Sequence, residues 1–359
     1  TFYKKILDGD FDSDQEAAQF FYNTDINSSS YKNLKSTLRA RLINTLFFVD
    51  TGKYNEREGA YLYCSKYIVA AKILIALNVK DAGIDLCHKV LRKALHFEFT
   101  DHIIDTSFYL SSHYALVHGN MKKFEHFNEL IKNALKAREA ENIAQEFYLR
   151  ILIPYTKSTA INSETHQQAA DAFEKLEPLL AIHPSPFLHY ISYYIESLKW
   201  LTVNNYAETI KVCKKAILFF ENKPFKYKSA MRAFLHQKIV CYTQLKMYKE
   251  GQNAIKKSNS ILQSGSYNWY VNLDLCLMLA LHSKEYQEAY YIFNRAANHK
   301  KYKRLNPRMR EKWTILESYI HFLALFYLQF WRPPRWLCRV CLWLAPHCVC
   351  AGSSRRMRR

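Results

Sequence analysis

The chain has 359 residues, a formal net charge of +19, and only eight Gly and nine Pro. So few turn-forming residues argue against a β-rich protein, whose strands need frequent turns. Leu, Ala, Lys and Glu are plentiful, and these residues favour helix. The aromatic share of 15% fits rings that fill the space between layers of helices. The composition therefore predicts an all-α fold.

Residues 1–58 are predicted to form a helical cap. Asp12 and Ser13 precede Glu16 at the spacing of a capping box, which marks the start of a helix. A polar loop follows, and residues 31–49 predict a second helix. The apolar positions of that helix recur every fourth residue: Leu34, Leu38, Leu42 and Leu46. An array of helical repeats needs such an atypical end to close its apolar layer.

The cap has a second interpretation as a DNA-reading helix-turn-helix. Lys35, Arg39 and Arg41 lie on the second helix, where basic side chains could reach DNA. That motif needs two short helices joined by a tight turn. The loop here is longer and the second helix is strongly apolar, so the cap remains the favoured interpretation.

A pattern of helix, tight turn and helix recurs along residues 59–328 about every forty residues. Three turns show it best: Asn204-Asn205-Tyr206, Lys246-Met247-Tyr248 and Lys284-Glu285-Tyr286. Small or apolar residues follow at fixed offsets: Thr209, Cys213 and Ala216; Gly251, Ile255 and Ser258; Ala289, Phe293 and Ala296. Two earlier turns, at 77–79 and 118–121, are followed by Ala82 and Leu86, and by Phe124 and Asn128. This periodicity predicts stacked helix pairs, with helix breaks near 78, 119, 205, 247 and 285.

These turns and small-residue positions resemble the tetratricopeptide repeat. Tyr248 with Gly251 and Ser258, and Tyr286 with Ala289 and Ala296, carry the likeness. The period exceeds the usual thirty-four residues or so, as in long-repeat bacterial members of this superfamily. The resemblance implies an all-α, right-handed superhelical solenoid of antiparallel helix pairs that binds proteins or peptides. It implies no enzymatic activity.

The resemblance also predicts a binding surface, because the first helix of each pair lines the concave face in tetratricopeptide-like stacks. Counting twelve residues back from each turn, and one helical turn onward on two helices, selects seven candidates for partner binding: Tyr67, Tyr109, His113, Tyr194, His236, Asp274 and Met278. Tyr side chains suit partner contacts because they offer a large area with a polar tip. The alternative is that these rings pack between the helices as core.

A basic loop lies between the last two predicted helix pairs. Its cationic residues are Lys300, Lys301, Lys303, Arg304, Arg308 and Arg310. Such a loop could contact phosphates or an acidic protein. A solvated loop is the simpler interpretation, and no RNA-binding motif accompanies it. We therefore do not expect nucleic acid as the partner.

Catalytic, cofactor and membrane signals are weak. No glycine-rich phosphate loop or metalloprotease motif occurs, so neither an enzyme nor a bound cofactor or metal is expected. Asp101, His102 and Asp105 cluster where acidic residues would favour a helix start. The longest apolar run, residues 319–331, is shorter than the twenty or so residues of a membrane span. With a polar start and no signal peptide, a cytoplasmic location is expected.

Residues 329–359 differ from the rest of the chain. Residues 331–359 hold seven Arg and four Cys but no Lys. This change in composition predicts a disordered or non-native tail. It contains a metal-like set of side chains: Cys338, Cys341, His347, Cys348 and Cys350. Zinc sites commonly hold their ligand pairs apart on a folded segment, and this set is too compressed for that arrangement.

Taken together, these patterns predict a non-enzymatic binding scaffold for a protein or peptide. The alternative is a regulatory or sensor module whose nucleic-acid-binding or effector domain is absent from this chain.

Overall fold

The computed structural model describes residues 1–48, 50, 54, 56–157 and 163–330, with side chains except those of 154–157, 163 and 323–330. The described residues form fifteen α-helices and no strand, which confirms the all-α prediction. Two compact units divide the chain after Ala134. The predicted tail and its Cys-rich set lie outside the described residues.

The helices follow one another with short connections. Unit 1 contains α1 Phe2–Asp8, α2 Asp14–Tyr22, α3 Ser29–Thr45, α4 Glu56–Ala76, α5 Lys80–Phe97, α6 Thr100–Leu116 and the first part of α7 Met121–Lys157. Unit 2 contains the rest of α7, then α8 Ser163–Ile182, α9 Pro186–Leu201, α10 Tyr206–Glu221, α11 Lys228–Gln244, α12 Tyr248–Asn259, α13 Tyr267–His282, α14 Tyr286–Ala297 and α15 Pro307–Phe330. Short 3-10 helices cover Leu46–Phe48 and Tyr302–Arg304.

The first three helices form a small core of their own. The predicted capping box is present at the start of α2: Ser13 accepts a hydrogen bond from the Glu16 amide at 3.2 Å, and the Glu16 carboxylate accepts one from the Asp12 amide at 2.8 Å. Phe2, Ala17, Ala18 and Tyr31 are buried, with Leu34 and Leu38 packed against them. Leu42 and Leu46, by contrast, are exposed. Only the first half of the predicted leucine stripe therefore contributes to the core.

In five helix pairs the two helices are joined by the same type of backbone turn. Residues in the left-handed conformation stand at the five predicted breaks: Asn78, Gly119, Asn204, Lys246 and Lys284, with φ between 56° and 63°. At Gly119 the Asn120 amide donates a hydrogen bond to the Tyr114 carbonyl, six residues back, at 2.8 Å. At the other four the next amide donates to the carbonyl five residues back, as from Val79 to the Leu74 carbonyl at 2.8 Å. This is the Schellman arrangement, which ends a helix and satisfies its final carbonyls. The recurrence confirms the predicted breaks.

The left-handed residue fixes the register of the following helix. The position five residues later is buried at Thr209, Gly251 and Ala289, as predicted. In the first pair this position is Gly83, which is buried, whereas Ala82 is exposed. The predicted packing residues Ala82 and Leu86 are therefore one residue out of register. Gly83 and Cys87 occupy those positions instead.

Within each unit, consecutive helices pack together. In unit 2, α9 packs on α10, α10 on α11, and α11 on both α12 and α13. In unit 1, α4 contacts α5 and α6. The first helices of two neighbouring pairs, α4 with α6 and α11 with α13, thus contact each other, which is compatible with a helical repeat. Five Cys side chains of these helices are all buried: Cys64, Cys87, Cys213, Cys241 and Cys276.

The helix α4 is apolar along much of its length. Among the residues that the structure covers, it alone is long and apolar enough to cross a membrane by length and composition. Cys64 and Ala71 of α4 are nevertheless fully buried, and α4 packs against α5. Part of its apolar character therefore belongs to the core of unit 1.

Candidate binding site

Equivalent positions on the first helices can be compared by counting ten residues back from each left-handed residue. They are Ile68 and Tyr109 in unit 1, and Tyr194, His236 and Asp274 in unit 2. The predicted Tyr67 is one residue out of register, because the first turn was misplaced by one. Its neighbour Ile68 takes the equivalent position and is core, with 4% exposure. Tyr67 itself is half-buried, and its ring centroid lies 4.2 Å from that of Tyr63.

The unit 1 candidates lie on α6. Tyr109 is half-buried and packs against the core formed by α4, α5 and α6. The Lys72 ammonium lies 5.9 Å from the centroid of its ring and is ion-paired with Asp105 at 2.8 Å. His113, one turn later, is half-buried and contacts His118. Tyr109 therefore serves the core as well as the surface.

Three Tyr side chains gather in unit 2. Tyr190 and Tyr194 lie one turn apart on α9, and Tyr148 approaches them from α7. The ring centroids of Tyr148 and Tyr194 are 5.5 Å apart, and the two rings are nearly perpendicular. Burial is the main cause that raises the pKa of all three phenols. Tyr194 is only half-buried, yet it packs against two core clusters.

A cation and an imidazole on α11 border these rings. Arg232 and His236 lie one turn apart on one face of the helix. The charge of Arg232 lowers the pKa of both Tyr190 and Tyr194. Burial, followed by the charge of Arg232, lowers the pKa of His236 to about 4, although an interaction with the Asn272 side chain acts in the opposite direction. The imidazole of His236 is therefore neutral at physiological pH. We call the five residues Tyr148, Tyr190, Tyr194, Arg232 and His236 the aromatic cluster.

Two side chains of the aromatic cluster could bind a polar group of a ligand. The Nε2 atom of His236 is buried and has no hydrogen-bond partner within the described part of the chain. Arg232 is absent from the ion pairs of the same residues. A buried polar atom without a partner costs about 1–3 kcal/mol. A ligand that carries a hydrogen-bonding or anionic group could satisfy both side chains.

The third unit 2 candidate has a different environment. Asp274 on α13 is buried, with 4% exposure, and its carboxylate forms an ion pair with Lys312 of α15. Met278, one turn later, is exposed. On the same helix Asn272 is fully buried and accepts a hydrogen bond from Ser258 at 2.7 Å. Asp274 therefore links α13 to α15, whereas Met278 remains available to a partner.

Two apolar side chains of the basic loop pack into the core. Leu305 is buried, and Tyr302 packs against the core of α13, α14 and α15. His299 accepts a hydrogen bond from the Lys301 amide at 3.2 Å and lies 3.2 Å from the Tyr270 hydroxyl. The six predicted cationic residues are all exposed. Lys300, Lys301, Lys303 and Arg304 lie in the loop, whereas Arg308 and Arg310 lie in the first turn of α15. The core contacts of Tyr302 and Leu305 hold the backbone of the loop. In this respect it differs from a freely solvated loop.

The predicted cluster at the start of α6 is mainly structural. Asp101 stands in the first turn of α6, where a carboxylate favours the helix dipole. Asp105 is paired with Lys72, and His102 lies 3.0 Å from the Ser65 hydroxyl. The Nδ1 atom of His102 has no partner among the described residues. An acid that would orient this imidazole for catalysis is therefore not in contact with it.

The sequence pattern did not select Tyr148, which lies on a different helix, or Tyr190 and Arg232, because the count back from each turn added residues only one turn later on a helix and none one turn earlier. Tyr190 and Arg232 each lie one turn before a chosen residue on the same helix face. A search for aromatic and cationic residues four positions apart would have found these two.

Comparison of the chain with protein-family models, curated proteins and solved structures gives no match in any of the three. The likeness to tetratricopeptide repeats therefore depends on the all-α fold and on the recurring turn.

Proposed function

We propose that the chain is a protein- or peptide-binding scaffold without enzymatic activity. Its contact surface is formed by the first helices of the unit 2 pairs, α9, α11 and α13. The proposal includes right-handed, tetratricopeptide-like stacking of the pairs within each unit, which the repeated Schellman turns support. The observation that carries the proposal is the buried Nε2 atom of His236 in the aromatic cluster, which has no hydrogen-bond partner among the described residues.

The chemistry of the aromatic cluster favours a peptide with an acidic side chain next to an apolar one. Arg232 offers a charged, bidentate donor to a carboxylate. His236 is held neutral and offers a further hydrogen-bonding nitrogen. The Tyr rings supply apolar area at a low cost in side-chain entropy. Met278 adds an adaptable apolar contact on α13.

Peptide display on the full chain tests the proposal. Selected peptides should be rich in Asp or Glu beside aromatic or aliphatic residues. Their affinity should fall about tenfold or more for Arg232→Gln, since a charge-assisted bond contributes at least about 1.4 kcal/mol. The control Lys249→Gln changes an exposed cation on the second helix of a pair and should leave affinity unchanged. If selected peptides bind the wild type and Arg232→Gln equally, the aromatic cluster is not the binding site.

The alternative, a regulatory or sensor module whose effector domain lies elsewhere, has no observation of its own among the described residues. It shares the same binding surface, so the peptide experiment applies to both.

A further inference from the structure

Two His side chains of unit 1 meet where α6 ends and α7 begins. His113 lies in the last turn of α6, and His118 lies in the turn that follows. Their Nε2 atoms are 3.1 Å apart, and their ring centroids are 4.8 Å apart. His118 is exposed and His113 is half-buried. Both nitrogens are therefore within reach of a small solute.

The spacing of these nitrogens matches that of two ligands on one metal ion. Two imidazoles bound at 2.0–2.1 Å to a tetrahedral zinc ion have nitrogens about 3.3 Å apart. Two unprotonated nitrogens at this separation repel each other unless a proton or a cation lies between them. Neutral imidazole is a preferred ligand of zinc, copper and nickel.

The carboxylate of Asp81 lies within electrostatic range of His113. Asp81 lies in the first turn of α5, which packs against α6. Burial, followed by His118, lowers the pKa of His113, whereas the negative charge of Asp81 raises it. Asp81 is exposed, so its side chain is free to change rotamer. The described residues contain no preformed group of three metal-ligating side chains, and a third ligand must therefore come from such a movement.

The geometry points to a surface site for a divalent transition metal ion. His113 and His118 bind the ion through Nε2, and the Asp81 carboxylate and water complete its coordination. His88 is close by but is engaged with the Tyr114 hydroxyl at 3.0 Å, so it is not a ligand. The positive charge of Lys80, which also acts on His113, weakens the attraction. We therefore expect an affinity on the order of micromolar rather than nanomolar.

Calorimetric titration of the full chain with Zn²⁺ tests the site. Cys338, Cys341, Cys348 and Cys350 are changed to Ser in every sample, so that thiolates cannot bind the ion. One equivalent should bind the parent protein. His113→Ala and His118→Ala should each weaken binding at least about tenfold, and Asp81→Asn several-fold. His126→Ala removes an exposed His of the same unit and is the matched control.

Circular dichroism of each variant checks that it is folded, and the exposure of His118 makes its loss compatible with folding. Equal binding by the parent and by the His113→Ala/His118→Ala double variant would overturn the site. The absence of Zn²⁺ binding by the parent would also overturn the site. The imidazoles of His113 and His118 would then share a proton and not a metal ion. Unchanged affinity of Asp81→Asn would overturn the role of Asp81 as third ligand.

Discussion

Gly251 of α12 packs directly against Leu279 of α13. A Cβ atom added to Gly251 would lie 2.8 Å from the Leu279 Cδ1 atom, which is closer than carbon atoms normally approach. Leu279 is 3% exposed. Gly251 occupies the position five residues after the left-handed Lys246, where three other pairs place Gly83, Thr209 and Ala289 and the α6–α7 pair places the half-buried Phe124. The close approach of α12 and α13 therefore depends on a small residue at Gly251.

Larger residues at Gly251 should destabilise the protein in proportion to their size. Gly251→Leu overpacks the contact and should cost about 1–3 kcal/mol in the free energy of unfolding. Gly251→Ala should be close to neutral, because displacing the tip of Leu279 is offset by a helix propensity gain of about 1 kcal/mol. Urea denaturation measures both, with the exposed Lys249→Leu as control. A Gly251→Leu variant as stable as the wild type would show that the contact is loose.

The sequence predicted the later repeats in register because a Tyr begins the second helix at 206, 248 and 286. In the first repeat Lys80 stands at that position, so the pattern lacked its marker and was placed one residue early. That shift selected Tyr67 instead of Ile68. The position of each turn could be predicted from the sequence, but the residue that adopts the left-handed conformation could not. Lys246 and Lys284 adopt it, although Gly and Asn favour it.

The contacts around the aromatic cluster could not be predicted, because they depend on how neighbouring helices are rotated. Arg232 and Tyr194 lie on different helices, and no sequence period relates them. The long helix α7 was also unexpected. Met121–Lys157 is one continuous helix and not a pair of helices, since neither Gly nor Pro interrupts residues 121–153.

Gly265 should be intolerant of substitution because it supports the basic loop. Its φ is 73°, a value that L-residues rarely adopt, and an added Cβ would lie 2.2 Å from the His299 Cε1 atom. Gly265→Ala should therefore cost about 1–3 kcal/mol in the free energy of unfolding. Thermal or urea unfolding measures the loss. Gly9→Ala is the control, because its φ is also positive but nothing lies near its added Cβ. Equal losses would show that the His299 contact contributes nothing.

Stability should fall in mild acid because His236 is held neutral. Its pKa is about 4 in the folded state and about 6.5 in the unfolded chain. The unfolded state therefore takes up protons first. Above pH 6.5 the titration of His236 costs no stability. The free energy of unfolding then decreases as the pH falls toward 4 and levels off below that. The total is about 3 kcal/mol.

The His236→Gln variant isolates this contribution. Chemical denaturation at several pH values should show a shallower loss between pH 6.5 and 4 than in the wild type. Some loss should remain, because burial also lowers the pKa of His88, His102 and His189. His126→Gln, at an exposed position, should follow the wild type. Identical profiles for His236→Gln and the wild type would contradict the neutral, buried state of this imidazole.

Tyr194 should contribute to both stability and binding. Tyr194→Ala removes a ring that packs against two core clusters, so we expect a loss of about 2–4 kcal/mol in unfolding free energy. Tyr194→Phe keeps the ring and should cost less than about 1 kcal/mol. Peptide affinity measured with Tyr194→Phe therefore reports the hydroxyl without unfolding. If Tyr194→Ala is as stable as the wild type, its ring is not part of the core.

The basic loop should bind polyanions weakly and without sequence preference. Its exposed cations can neutralise phosphates, and contacts to phosphates carry no sequence information. Fluorescence anisotropy with labelled DNA duplexes should show affinity that falls steeply with salt. Changing Lys300, Lys301 and Lys303 to Gln should reduce the slope of log affinity against log salt by about 0.9 for each phosphate that the protein no longer neutralises. The control changes Lys249 and Lys256, on α12, to Gln. Its slope should stay steeper than that of the triple variant. Tight binding to one sequence at physiological salt would contradict the prediction and make nucleic acid a specific partner.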